Sequence, residues 1–251
     1  MVSPSFATFR FPISLRTYRL FEGPIVHTMQ RLLTGQEHGV CVDTPRLPLS
    51  PKQLMKLRLG SIGAEGDHIL FRDMHAGTNM AVLHDPYSNA VKYARDHPLL
   101  YTLTPETRLV HGRFGNFPLT KEQYDHSDGF VFTADESETL QNGPHALPKR
   151  REAFWEYAAE GDTILTKDYI TYVTQQTKLS FDQAMGLYLL SHEGLGCLFV
   201  DRIVHRSSGD SSSNLGFEFG CLAGVATEPH VVAQKIANAH AWKKSLENIV
   251  T

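Results

Sequence analysis

Apolar positions in this chain recur mainly at helical spacing, and the polar residues between them fall where helices begin. In "LSPKQLMKL" Ser50 stands at an N-cap, Pro51 at the first helical position and Gln53 as the return partner of a capping box. "LTKEQ" repeats the device with Thr120 and Gln123, and "LSFDQAMGLYLL" with Ser180 and Gln183. Thr104 before Pro105, and Thr227 close to Pro229, mark two more helix entries. "KRREAFWEYAAEGD" carries its aromatics at helical spacing and stops at Gly161, while alternating, strand-like runs are few and short. The pattern predicts a mostly α single-domain fold.

The densest apolar stretch is "SFDQAMGLYLLSHEGLGCLFVDRI", residues 180 to 203. Its apolar residues cover every helical face between Met185 and Val200, which predicts a central helix buried on all sides. His192 and Glu193 interrupt it. A carboxylate among Leu189, Leu190, Cys197 and Leu198 would lose hydration and have its pKa raised, as suits a general acid or base. A structural glutamate paired with an arginine or lysine is the alternative. Gly194 and Gly196 remove side chains beside it and would let a flat ligand approach the backbone. Neighbours on a helix lie about 100° apart, so Glu193 is expected to face the pocket and His192 to support it.

Residues 205 to 216 and 141 to 148 read as surface connections. "AEGDHILFRDM" (64 to 74) and "AEGDTILTKDY" (159 to 169) echo one another, but Thr163, Leu165 and Lys167 cannot supply the oxygens of a calcium loop. Asp125, His126 and Asp128 cluster in "YDHSDG" at a spacing that fits a solvated turn better than a metal cage.

Composition narrows the function classes. The chain has 251 residues, 41% hydrophobic and 20% charged, with a formal net charge of -3. It offers no basic field for phosphates, so nucleic acid is not an expected partner. No segment reaches the ~20 apolar residues of a membrane span, and residues 1 to 24 lack the apolar run of a signal peptide, so a cytoplasmic protein without membrane partners is expected. Three cysteines, Cys41, Cys197 and Cys221, are read as reduced, with Cys41 the one open to another role.

The order of short motifs from about Gly23 onward resembles the fungal heme-thiolate peroxidases, the family of chloroperoxidase and the unspecific peroxygenases. In that family a Pro-Cys-Pro segment supplies the iron ligand and is followed by Asn-His-Gly and a capped helix. Here "GPIVHTMQRLLTGQEHG" leads to His38 and Gly39, and Ser50 stands at the helix entry. His111 and Gly112, then Leu119, Thr120 and Lys121, then Asp128, follow the family's next signals. Ser191, His192 and Glu193 resemble the distal glutamate motif, and Leu215, Gly216 and Phe217 the later Leu-Gly-Trp. "PHVVAQKIANAHAW" resembles the last helix. The resemblance implies a helical domain over 23–251 behind an extension at 1–22, a heme cofactor and a small organic substrate.

This chain departs from the family at the ligand itself. Pro24, Ile25, Val26 and His27 occupy the Pro-Cys-Pro slot, and Gly115, Asn116 and Phe117 replace the acidic magnesium motif. Imidazole and thiolate both bind heme iron but favour different chemistry. His27 is the first candidate ligand to the metal, Cys41 the second, with His38 nearby; absence of heme ranks level with His27. Two functions are therefore expected. One is a heme-dependent peroxidase or peroxygenase-like oxidoreductase using Glu193. The other is a heme-free cyclase, isomerase or dehydratase in the emptied pocket, with Glu193 as acid or base and His111 or His27 as partner.

Overall fold

The structure, a computed structural model, describes residues 8–10, 17–37, 40–41, 44–60, 72, 74–85, 87–110, 115–141, 148–189, 193–203, 206–210, 215–216 and 221–247. A ten-stranded sheet organises them. Its strands are β1 (Thr8–Arg10), β2 (Thr17–Glu22), β5 (Arg46–Pro48), β6 (Ala76–His84), β7 (Val91–Arg95), β8 (Phe130–Phe132), β9 (Leu187–Tyr188), β10 (Gly194–Val200), β11 (Gly209–Asp210) and β12 (Cys221–Ala226). The short pair β3 (Gln36–Glu37) and β4 (Val40–Cys41) stands apart. The main order is β1-β2-β12-β6-β10-β11-β9, with β5 added to β12 and β7 and β8 continuing from β6. Residues 17 to 22, at the end of the stretch read as an extension, thus supply a strand that pairs with β12.

Helices cover both faces. One face packs α2 (Pro51–Gly60), α5 (Pro148–Ala158) and α6 (Thr163–Thr177) over Met80, Val82, Tyr93, Leu198 and Val200. The other packs α1 (Ile25–Thr34), a 3-10 helix (Pro98–Thr102) and α8 (Pro229–Glu247) over Ala81, Leu83, Leu195, Cys197 and Phe199. Shorter helices α3 (Lys121–Asp125), α4 (Ala134–Gln141) and α7 (Phe181–Ala184) lie between.

The mostly α expectation is therefore corrected to a mixed α/β domain, and the error lies largely in residues 180 to 203. Only Phe181–Ala184 is helical there; Gly194–Val200 is a central strand, antiparallel to β6. Its seven residues are all buried because Leu195, Cys197 and Phe199 enter one core and Leu198 and Val200 the other. A strand covered on both faces reads as a continuous apolar run, which periodicity cannot distinguish from a buried helix. Two of the three expected capping boxes form, whereas Ser180 makes no side-chain cap bond at the entry of α7. Ser50 and Gln53 bond reciprocally at 2.9 and 3.2 Å, and Thr120 and Gln123 at 3.1 and 3.2 Å. Pro229 opens α8, whereas Thr104 closes a turn onto Thr107 rather than a helix.

The glycines beside Glu193 are occupied by the chain itself. Gly194 has φ +109°, and a Cβ there would stand 2.5 Å from the Phe117 carbonyl oxygen. Phe117 and Leu195 exchange backbone hydrogen bonds of 3.0 and 2.8 Å across this gap. The close approach expected of a flat ligand is made by the backbone at 117.

Among the described residues no helix is long and apolar enough to cross a membrane. Cys197 and Cys221 are buried free thiols, and burial pushes each up to about 12. Asp125, His126 and Asp128 are exposed at and beyond the end of α3, as a turn requires.

Candidate functional site

Of the residues expected to share a heme or substrate pocket, Glu193 and His27, both among the described residues, do not line one cleft. Glu193 is exposed just before β10, where its carbonyl accepts from Asn116 Nδ2 at 3.5 Å. His27 is exposed on α1 and lines a cleft of about 540 Å³ with Glu22, Arg31 and Glu106. Cys41 lies in β4, paired with Gln36. His38, His111 and His192 lie outside the described residues. Glu193 lines neither the His27 cleft nor the two that follow.

Two larger clefts sit on either side of α8. One, of about 630 Å³, is floored by the ends of β5 and β12 and walled by α2 and α8. The other, about 650 Å³, lies between α8 and the 3-10 helix. Asp96, Tyr101, Val231 and Lys235 belong to both, so a single partition separates them.

That partition is a polar cluster set by local backbone geometry. Asp96 immediately follows β7 in the left-handed region, φ +53°, which aspartate tolerates better than most residues. Its N–H donates to Asn79 O at 2.9 Å, and the reversal carries the chain from strand into 3-10 helix. The Asp96 carboxylate accepts from Tyr101 Oη, from Lys235 Nζ and, at 3.4 Å, from Asn79 Nδ2. Lys235 Nζ also stands 5.3 Å from the centre of the Tyr101 ring. Burial, and then the Asp96 carboxylate, hold the Tyr101 phenol well above its usual range, so it stays a neutral donor. Tyr101→Phe is expected to cost about 1.5 kcal/mol, because a charged acceptor loses one donor and keeps the others. Urea denaturation checks this; an unchanged midpoint would show the bond contributes nothing.

The helix presents its rows to the second cleft in register. His230, Gln234, Asn238 and Trp242 are spaced by four residues, as are Val231, Lys235 and Ala239, so two neighbouring ridges face it. Gln234 Nε2 donates to Asn238 Oδ1 at 2.8 Å, which pre-orients both amides. Trp242 is partly buried and meets His97 edge-on at 5.2 Å. Pro98 and Tyr101 form the opposite wall. Fixed charges cancel there, Asp96 against Lys235, and the apolar surface comes from Trp242, Pro98, Val231 and Ala239.

Sequence reasoning passed over Asp96, Tyr101 and Lys235. The four-residue rows of "PHVVAQKIANAHAW" were the available signal, since they put amides, a lysine and a tryptophan on adjoining ridges. Side chains able to ligate a metal meet elsewhere, at His75, Asp201 and Asp210.

No family model and no curated protein matches this chain. It is similar to a solved structure described as accommodating massive sequence variation in Nanoarchaeota by the C-type lectin fold. The match covers 84% of this chain and 97% of that one, with a TM-score of 0.52 and 12% identity, so the likeness shows the fold alone. It overturns the resemblance to heme-thiolate peroxidases, and with it the all-α, oxidoreductase and peroxidase descriptions, which rested on short motifs in a chain that folds round a mixed sheet.

Proposed function

We propose that this protein is a binding module for a small, neutral, polyhydroxylated molecule of saccharide type, held in the cleft between α8 and the 3-10 helix. The observation that carries the reading is the pairing of two ridges on α8. One ridge offers the Gln234–Asn238 amide pair and Trp242, and the other Lys235 on Asp96. A sugar ring has a flat apolar face and a rim of vicinal hydroxyls. The first suits Trp242, Ala239 and Pro98; the second suits amides and a Lys–Asp pair, which offer donors and acceptors side by side. Cancelling charges disfavour strongly ionic ligands, and a volume of about 650 Å³ admits a mono- or disaccharide. Burial and the Asp96 carboxylate keep the Tyr101 phenol a neutral donor, which suits recognition by hydrogen bonding.

The chain has two tryptophans, of which Trp155 is fully buried, so Trp242 is the natural reporter. Titration with a panel of neutral mono- and disaccharides is expected to change tryptophan emission saturably for at least one sugar. Trp242→Phe should abolish the change, and Asn238→Ala should weaken binding roughly tenfold, the loss of one good hydrogen bond. If no sugar alters the emission of the folded protein, or Trp242→Phe keeps the response, the reading is wrong.

A further inference from the structure

We infer that a divalent first-row transition-metal ion, Zn²⁺ foremost, binds where His75, Asp201 and Asp210 meet. This lies at a different place from the saccharide cleft and stands without it.

Three chain segments converge at this point. His75 immediately precedes β6, Asp201 immediately follows β10, and Asp210 ends β11. His75 Nδ1 lies 2.8 Å from Asp201 Oδ1, and Nε2 lies 3.9 Å from Asp210 Oδ2. One ligand atom from each residue falls within 4.8 Å of the others. Zinc bonds to nitrogen and oxygen are about 2.1 Å, so two ligands of one ion stand about 3.0 Å apart at a right angle and at most about 4.2 Å apart. One ion takes only one of the two ring nitrogens, so the three ligands reach a coordination shell by drawing their gaps in from within 4.8 Å. The side chains are each about one-fifth exposed, at 20%, 22% and 18%, so an ion can enter while much of its surroundings stay protein. One imidazole with two carboxylates favours zinc or manganese over the all-oxygen sets that suit calcium and magnesium.

The surroundings are built to hold these groups still. The His75 ring stacks on Phe199 at 4.9 Å and 9°. Arg206 Nε lies 3.4 Å from Asp201 Oδ2, the oxygen turned away from His75, and so orients the carboxylate. Beneath them the fully buried Arg58 donates to the carbonyls of Met74 and Val200, at 3.1 and 3.3 Å, and to Ser207 Oγ at 2.9 Å. Met74 and Val200 are the residues just before His75 and Asp201. One guanidinium thus ties the backbone beside two of the ligands and the segment leading to the third.

A second observation points to a bound group. Ser208 is fully buried, and its hydroxyl has no hydrogen-bond partner among the described residues. Asp201 N–H donates to Ser208 O at 2.9 Å, so Ser208 extends the β10–β11 ladder. Strand alternation sends Ser207 toward Arg58 and puts Ser208 on the face of Asp210 and Phe199, where His75 stacks. A buried hydroxyl left alone is costly, and a metal-bound water on this face would satisfy it.

The test is titration of metal-free, full-length protein with Zn²⁺ and, separately, Mn²⁺ by calorimetry. The expected result is one site per chain, weakened at least tenfold in His75→Gln and in Asp201→Asn/Asp210→Asn while both variants keep the wild-type circular dichroism. With 13 histidines in the chain, adventitious zinc is the competing outcome; equal affinity and stoichiometry in wild type and variants would overturn the proposal. Should the variants fail to fold, the wild-type imidazole ¹⁵N resonances decide. A Zn²⁺-induced shift at His75 supports the site, and His75 resonances unmoved by saturating Zn²⁺ would refute it.

Discussion

Replacing Arg58 by alanine is expected to remove about 3–5 kcal/mol of folding stability, the scale seen when a buried charged network loses one member. Arg58 is fully buried on α2 and donates to Tyr169 Oη at 2.8 Å as well as to Ser207, Met74 and Val200. Tyr169 and Ser207 would keep each other, at 2.7 Å, but the two carbonyls would face an apolar void. Against the 5–15 kcal/mol typical of a domain, that loss moves a urea midpoint far. Arg58→Lys should recover only part of it, because an ammonium cannot reproduce a planar fork that reaches four acceptors. A loss below about 1 kcal/mol for Arg58→Ala would show that the network is dispensable.

The second large effect concerns pH. His97 is 3% exposed; its Nδ1 accepts from Leu99 N–H at 3.3 Å, so Nε2 carries the proton and donates to Ser127 Oγ at 2.7 Å. This neutral tautomer is enforced by burial, and then by Lys92, which together bring its pKa down to about 4. In the unfolded chain the imidazole titrates near 6.5. As pH falls below that value the unfolded state takes up the proton first, so stability is lost progressively toward pH 4. Further acid adds no more loss from this group. The full loss is about 3 kcal/mol. Carboxylates titrate in the same range, so the informative quantity is the wild-type minus His97→Gln difference in urea-derived stability. It should shrink by about 3 kcal/mol between pH 7 and pH 4; a pH-independent difference would exclude this role. Because His97 meets the Trp242 ring, its protonation should also disturb the saccharide cleft.

Local structure was far more legible than topology. Ser50 with Gln53 and Thr120 with Gln123 announce helix entries because a capping box is closed within four residues. Gly161 announces a stop because its φ of +79° is set by the chain's own turn. Residues 194 to 200 misled because their environment is supplied by distant elements: two helical layers cover β10, and hydrophobicity records burial without recording its geometry. The same non-locality hid the candidate sites. Asp96 and Lys235 are 139 residues apart, and His75 and Asp201 are 126 apart. Glu193 attracted attention as a carboxylate in an apolar run, yet it stands where the strand begins and solvent reaches it.

Saccharide recognition along α8 is tested most directly by the two indole N–H resonances in a ¹H–¹⁵N correlation spectrum recorded during sugar titration. Trp155 donates its indole N–H to Met185 O at 2.9 Å inside the core and should stay fixed. The Trp242 signal should move saturably, together with the side-chain amides of Gln234 and Asn238. A Trp242 signal that stays still, for every sugar in the panel and at concentrations of tens of millimolar, would contradict the account.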